Sequence, residues 1–162
     1  DDTTSSTSEI IYPAISTLHL APASEIAYFY LKNTVGLSED TMWKIIQKSS
    51  SILGLSVPTL ERKIALLTQT MNLTHQDIRI IIHKQPSILT MSANRNLSPT
   101  ILFLVRALDL GKNDLRTIVV QYPCILCYSI HNLQAKIQFF STEMQFDMEQ
   151  MRTLFVKEPK LL

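Results

Sequence analysis

Glycine is scarce, with 3 among 162 residues. A turn-rich β protein uses glycine wherever its backbone must turn left-handed, so this scarcity argues against one and favours helices. Only two cysteines are present, Cys124 and Cys127, too few for a disulfide framework and in keeping with a reducing compartment. No apolar run is long enough to span a bilayer, so a transmembrane helix is not expected. A charge excess of one sign is missing too. Fifteen Lys and Arg face 14 Asp and Glu, a formal net charge of +1, which excludes a global electrostatic pull toward nucleic acid or an anionic membrane. The residues show no Gly-rich phosphate loop, no nucleophile–base arrangement and no catalytic carboxylate pair, so no enzyme, cofactor or small-molecule substrate is expected. Apolar residues, in contrast, make up 46%, which suits a folded chain with a sizeable core.

A proline-and-leucine phrase recurs through the chain. It reads Pro86-Ser87-Ile88-Leu89, then Pro123-Cys124-Ile125-Leu126, then Pro159-Lys160-Leu161-Leu162, with an earlier copy, Ser50-Ser51-Ile52-Leu53, that has serine for proline. The intervals from Ser50 are 36, 37 and 36 residues. Self-similarity at such a period marks one supersecondary unit copied into an array.

Each unit opens with a leucine-like residue and a cap: Leu37-Ser38, Leu73-Thr74, Leu110-Gly111 and Phe146-Asp147. Ser38, Thr74 and Asp147 offer an oxygen to the free amides of a first helical turn. Asp77, Asp114 and Gln150 stand three residues later, where they favour a helix start. Apolar residues then follow at spacings of three and four: Met42, Ile45, Ile46; Ile78, Ile81, Ile82; Leu115, Ile118, Val119; Met151, Leu154, Phe155. These form one stripe of a helix. Proline ends that helix because it lacks the amide and restricts its predecessor. Ser50 in the first unit is expected to soften the end without abolishing the turn. The Ile-Leu pair suits a single tucked turn. A second helix follows, with Leu60, Ile64, Leu67 aligned to Leu97, Ile101, Leu104 and to Leu133, Ile137, Phe140. Ser24, Tyr28 and Leu31 fit the same register upstream. Neither helix buries its stripe alone, so the expected fold is an all-α superhelical solenoid of stacked helix–turn–helix units. The expected division is a disordered polar leader over residues 1–15, a partial unit over 16–34, units over 35–71, 72–107 and 108–143, and an incomplete unit over 144–162. The incomplete unit implies a natural continuation or a protein partner at that end.

The repeat also sorts the charged residues. Seven positions before each proline stand Trp43, Arg79, Arg116 and Arg152; two before it stand Lys48, Lys84, Gln121 and Lys157. Stacking puts the members of a column side by side at roughly ~10 Å. A ladder of like charges calls for an offsetting anion, and phosphate is one. Lys63 and Lys136 form a thinner third column. A second reading stands beside this one: lysines in a last helical turn are favoured by the dipole alone, and the arginines pair with nearby acids, for example Arg152 with Glu149 at helical spacing. Trp43 offers a base-stacking face or a packing role. The Cys124-x-x-Cys127 pair aligns with Ser51 and Gly54 and with Ser87 and Thr90. Those positions prefer small residues, and no second pair exists for zinc, so the cysteines are assigned to packing. His19, His75, His83 and His131 have no ligand spacing; His83, beside Lys84, is read as a surface residue within reach of phosphate.

Four units in register, with Leu-Ser or Leu-Thr openings (Leu37-Ser38, Leu73-Thr74), Pro-x-x-Leu turns and second helices such as Leu133-Gln134-Ala135-Lys136-Ile137, resemble the mTERF family, the mitochondrial transcription termination factor proteins. The resemblance covers roughly residues 16–162. It implies a superhelix with a positively charged concave groove that binds organellar DNA or RNA, in a mitochondrion or alternatively a plastid, and acts in transcription, RNA processing or ribosome assembly. Arg79, Arg116, Arg152, Lys48, Lys84, Lys157, Lys63 and Lys136 are then the expected phosphate contacts. The alternative is a non-catalytic scaffold within an organellar assembly such as a ribosome.

Overall fold

A computed structural model describes residues 21–162, so the expected leader, the first residues of the partial unit and His19 lie outside the described residues. Among the described residues eight α-helices follow one another: α1 (Pro22–Phe29), α2 (Glu39–Lys48), α3 (Val57–Met71), α4 (His75–Lys84), α5 (Ser98–Leu108), α6 (Lys112–Gln121), α7 (Ile130–Thr142) and α8 (Met148–Lys157). Among the described residues there is no strand, and no helix is long and apolar enough to cross a membrane.

The first helices of the units start where their caps allow. Ser38 Oγ accepts from the Thr41 amide at 3.3 Å, Thr74 Oγ1 from the Asp77 amide at 3.2 Å and Asp147 Oδ1 from the Gln150 amide at 2.8 Å. Gly111 has no oxygen to offer, and there Asp114 takes the Gly111 amide at 3.3 Å. Each first helix stops at the phrase that repeats. Short 3-10 turns follow at Ser50–Gly54, Pro86–Thr90, Pro123–Cys127 and Pro159–Leu161. The residue before each proline has ψ of 71–76°, as the ring behind it demands, whereas Ser49, before Ser50, relaxes to 38°. The turn itself survives the substitution.

The expected stripes are interior. Ile45, Ile81, Ile118 and Phe155 from the first helices, Ile52, Ile88 and Ile125 from the turns, Leu60 and Leu133 from the second helices, and Leu97, just before α5, are fully buried. Burying a side chain of this size stabilises by about 1.5–3 kcal/mol, against about 1 kcal/mol for a cap. Stacking therefore holds the array, and the caps set where helices begin. First helices pack on first helices (α2 on α4, α4 on α6, α6 on α8) while α3, α5 and α7 form the second layer. Tyr28 and Leu31 of the upstream helix are buried in the same core.

Two local features lie outside the repeat pattern as read from sequence. The residues that end the second helices, Asn72, Asp109 and Gln145, have φ of 52°, 48° and 55°, and Gly36 takes the same place with φ of 76°. Each lets the chain reverse into the next unit through a left-handed residue. Before α5, residues Ala93–Leu97 form a π turn. The wider turn accommodates Pro99, which has no amide and whose ring would crowd a carbonyl of a regular turn.

Candidate nucleic-acid interface

The arginine column lies along the first-helix layer, and two of its three arginines are occupied. Arg116 Nε donates to Asp77 Oδ2 at 2.9 Å, and Arg152 Nε donates to Asp114 Oδ2 at 2.9 Å with Nη2 at 2.8 Å. Each acceptor is the carboxylate that closes the cap of the preceding unit. The partner of Arg152 is thus Asp114 across the unit boundary rather than Glu149 on its own helix. Asp77 is the more enclosed acid, with 10% of its side chain exposed. Burial pushes its carboxyl up, but the Thr74 amide and hydroxyl and Arg116 together outweigh burial and hold it below the usual carboxylate value. An arginine that already carries a carboxylate presents little net charge to an external phosphate.

Arg79 differs. The position that is Asp77 and Asp114 in the later units is Thr41 in the first, and among the described residues no carboxylate pairs with Arg79. Its guanidinium turns back along its own helix to Gln76 Oε1, at 2.8 and 3.3 Å. Thr41 is buried and its hydroxyl meets Ser38 Oγ at 2.9 Å and His83 Nδ1 at 2.8 Å. His83 also meets Lys44 Nζ through Nε2 at 3.0 Å, so it is a half-buried bridge between two units rather than a bare surface residue. Trp43, the aromatic member of the column, is half-buried on α2.

The lysine column is exposed at Lys48, Lys84 and Lys157. Lys84 reaches forward to the end of α6, donating to the carbonyls of Val120 at 2.9 Å and Gln121 at 3.0 Å. Positive charge is favoured there by the unpaired carbonyls of a helix end, and Gln121 leaves that place free of a second cation. The third column divides. Lys136 is exposed, with its ammonium 5.4 Å from the centre of the Tyr128 ring. Lys63 is corrected from a surface contact to an interior one: it is buried, its ammonium donates to the Leu89 carbonyl, and burial lowers its pKa. Its stem lies on the core-facing side of α3, between Leu60 and Leu67, which withdraws it from any external phosphate.

The cysteines bracket one side chain. Cys124 Sγ donates to Gln85 Oε1 at 3.2 Å, and Gln85 Nε2 donates to Cys127 Sγ at 3.6 Å. Gln85 belongs to the turn of the preceding unit, so the pair packs one turn on the next. Sequence reasoning missed the carboxylate partners. The signal was present: Asp77 and Arg116 are 39 residues apart, Asp114 and Arg152 38, close to one period.

A family model, mTERF, matches residues 23–162, which is nearly the whole chain and all of its repeats. The chain belongs to the mTERF family. Proteins of this family are organellar helical-repeat proteins that bind nucleic acids and are not catalysts. No curated protein matches the chain.

Proposed function

We propose that this mTERF-family chain binds the phosphate backbone of organellar RNA or DNA and acts in mitochondrial, or alternatively plastid, gene expression. The observation that carries the reading is the set of exposed cations repeated on one helix layer, Lys48, Lys84 and Lys157, joined by Arg79. Lys136 on the other layer adds a further exposed charge. Such contacts position a backbone without encoding sequence. Arg116 and Arg152 enter this scheme as spacers that hold the units in register, each already matched by an acid. A near-neutral chain gains affinity from local phosphate contacts rather than from its overall field, so binding must weaken steeply with salt. Fluorescence anisotropy with a labelled mixed-sequence duplex DNA and single-stranded RNA over a salt series tests this. The expected result is binding at low salt with a negative slope of log affinity against log salt. Binding that ignores salt, or none at low salt, overturns it.

A second reading, a scaffold contact with protein, is favoured by a different observation. Phe139, Met144, Met148 and Leu161, on and around α7 and α8, are exposed at 51%, 48%, 46% and 43%. Exposed apolar side chains on two helices that pack together, as α7 and α8 do, suit a partner surface. Pull-down from organelle extract after nuclease treatment distinguishes the two: a stable protein complex that survives nuclease supports the scaffold.

A further inference from the structure

The ladder of arginines and aspartates has one open step. Arg116 holds Asp77 and Arg152 holds Asp114, each one unit back. Counting the same interval back from Arg79 leads to Thr41, a neutral residue. A cavity of about 390 Å³ lies at this step, lined among others by Gly36, Ser38, Thr41, Arg79, His83 and Lys84. None of its lining residues is acidic. Asp40, which is not among the lining residues, has its Oδ2 3.1 Å from Lys44 Nζ and 3.6 Å from Nδ1 of the lining His83. Gly36 keeps the wall low: a Cβ there would stand 3.1 Å from Arg79 Nη1. Lys84 and His83 line the space but are already engaged, Lys84 Nζ with the Val120 and Gln121 carbonyls and His83 with Thr41 and Lys44. Arg79, held only by neutral Gln76, is therefore the cation left to meet an anion, and its planar fork of donors suits a phosphoryl group.

We propose that this cavity at Arg79 seats one backbone phosphodiester of the bound nucleic acid, with the phosphate taking the place that Asp77 and Asp114 occupy at the later steps. The inference rests on the nucleic-acid reading and sharpens it. It assigns phosphate binding to the first step of the ladder and withholds it from the two steps that carry their own carboxylate. The Arg79 guanidinium swings from Gln76, a neutral partner on an exposed face, to the phosphate. That exchange replaces a neutral hydrogen bond with a charge-assisted one, which is about twice as strong.

Two variants test it in the full chain. Arg79→Gln removes the cation. Thr41→Asp copies the later units and supplies an internal anion to Arg79. Arg116→Gln is the comparison, and circular dichroism checks that each variant folds. In anisotropy titrations with labelled duplex DNA and single-stranded RNA, Arg79→Gln and Thr41→Asp are each expected to reduce the salt slope by about one. Arg116→Gln leaves the slope unchanged. Wild-type protein that binds with a salt slope the two variants preserve overturns the seat and leaves the broader reading standing. Wild-type protein that binds neither nucleic acid overturns both. Thermal stabilisation by inorganic phosphate alone, lost in Arg79→Gln while the nucleic-acid slope is unaltered, overturns the backbone assignment in favour of a small phosphate ligand.

Discussion

Replacing Asp77 with asparagine deletes one charge at a boundary between two units. Asp77 Oδ2 accepts from the Thr74 amide and hydroxyl, both at 2.8 Å, and from Arg116 Nε at 2.9 Å. Asparagine keeps the size and one acceptor, so most of the capping contribution of about 1 kcal/mol survives. The lost quantity is the pairing with Arg116. A charge-assisted bond contributes about 1.5–3 kcal/mol when enclosed, and an exposed ion pair about 0–1 kcal/mol. The pair lies between these limits, because the acid side chain is 10% exposed and the arginine 38%. Screening on the arginine side brings the expected coupling to about 1 kcal/mol. For a chain of this length that lowers the melting temperature by about 2–4 °C. Asp114 and Arg152 are more open, at 24% and 46%, and their coupling is expected to be about half as large.

Two double-mutant cycles measure the difference, Asp77→Asn with Arg116→Gln and Asp114→Asn with Arg152→Gln, by urea denaturation followed by circular dichroism. An inner coupling below about 0.3 kcal/mol, or an outer coupling larger than the inner, refutes the assignment. Acid pH supplies an independent check. The folded Asp77 carboxyl titrates below its ordinary value of 3.8, so on acidification the unfolded chain takes up the proton first. The stabilisation is complete above the unfolded value and is lost as pH falls through the lower folded one. The stability gap between wild type and Asp77→Asn is therefore expected to be flat above about pH 5 and to close below it.

Three further outcomes are expected. Gln145→Gly relieves a left-handed residue at φ 55° and should raise stability by about 1 kcal/mol in urea; a loss would show that the Gln145 side chain makes a needed contact. Ser50→Pro restores the repeat and should gain about 0.4–1 kcal/mol through the unfolded chain, if Ser49 moves from ψ 38° toward the 71–76° of its counterparts; a lower urea midpoint counts against this. Lys63→Met should leave the salt slope of nucleic-acid binding unchanged. Because burial lowers the Lys63 pKa from 10.5, the folded chain sheds that proton before the unfolded one, so wild type should gain on Lys63→Met as pH rises toward 10.5; a constant difference refutes the buried placement.

The helices, their caps and their proline ends were legible because each depends on residues a few positions apart, and four copies voted on every position. Ser38, Thr74 and Asp147 declared the starts through local hydrogen bonds. The left-handed Asn72 and Asp109 were legible in principle, since short polar residues favour that conformation, but Gln145 in the same column obscures the rule. Lys63 was misplaced because its column was judged by charge. Its neighbours on the stripe, Leu60 and Leu67, already set it one turn from the core, where a long stem is drawn inward.

The site was less legible for a geometric reason. A column compares a position with itself from unit to unit, but most side-chain contacts that join units connect different columns, across separations of 36 to 42 residues. Asp77 meets Arg116, Lys84 meets the carbonyl of Val120, and Gln85 meets Cys124, each pair drawn from two columns. A ladder of arginines considered alone asks for an external anion. Considered with the acid column one unit back, it is mostly neutral, and its demand for an anion shrinks to the step where Thr41 stands for aspartate. Charge along this layer is therefore assigned by offset pairs, and Arg79 is the arginine whose offset counterpart, Thr41, carries none.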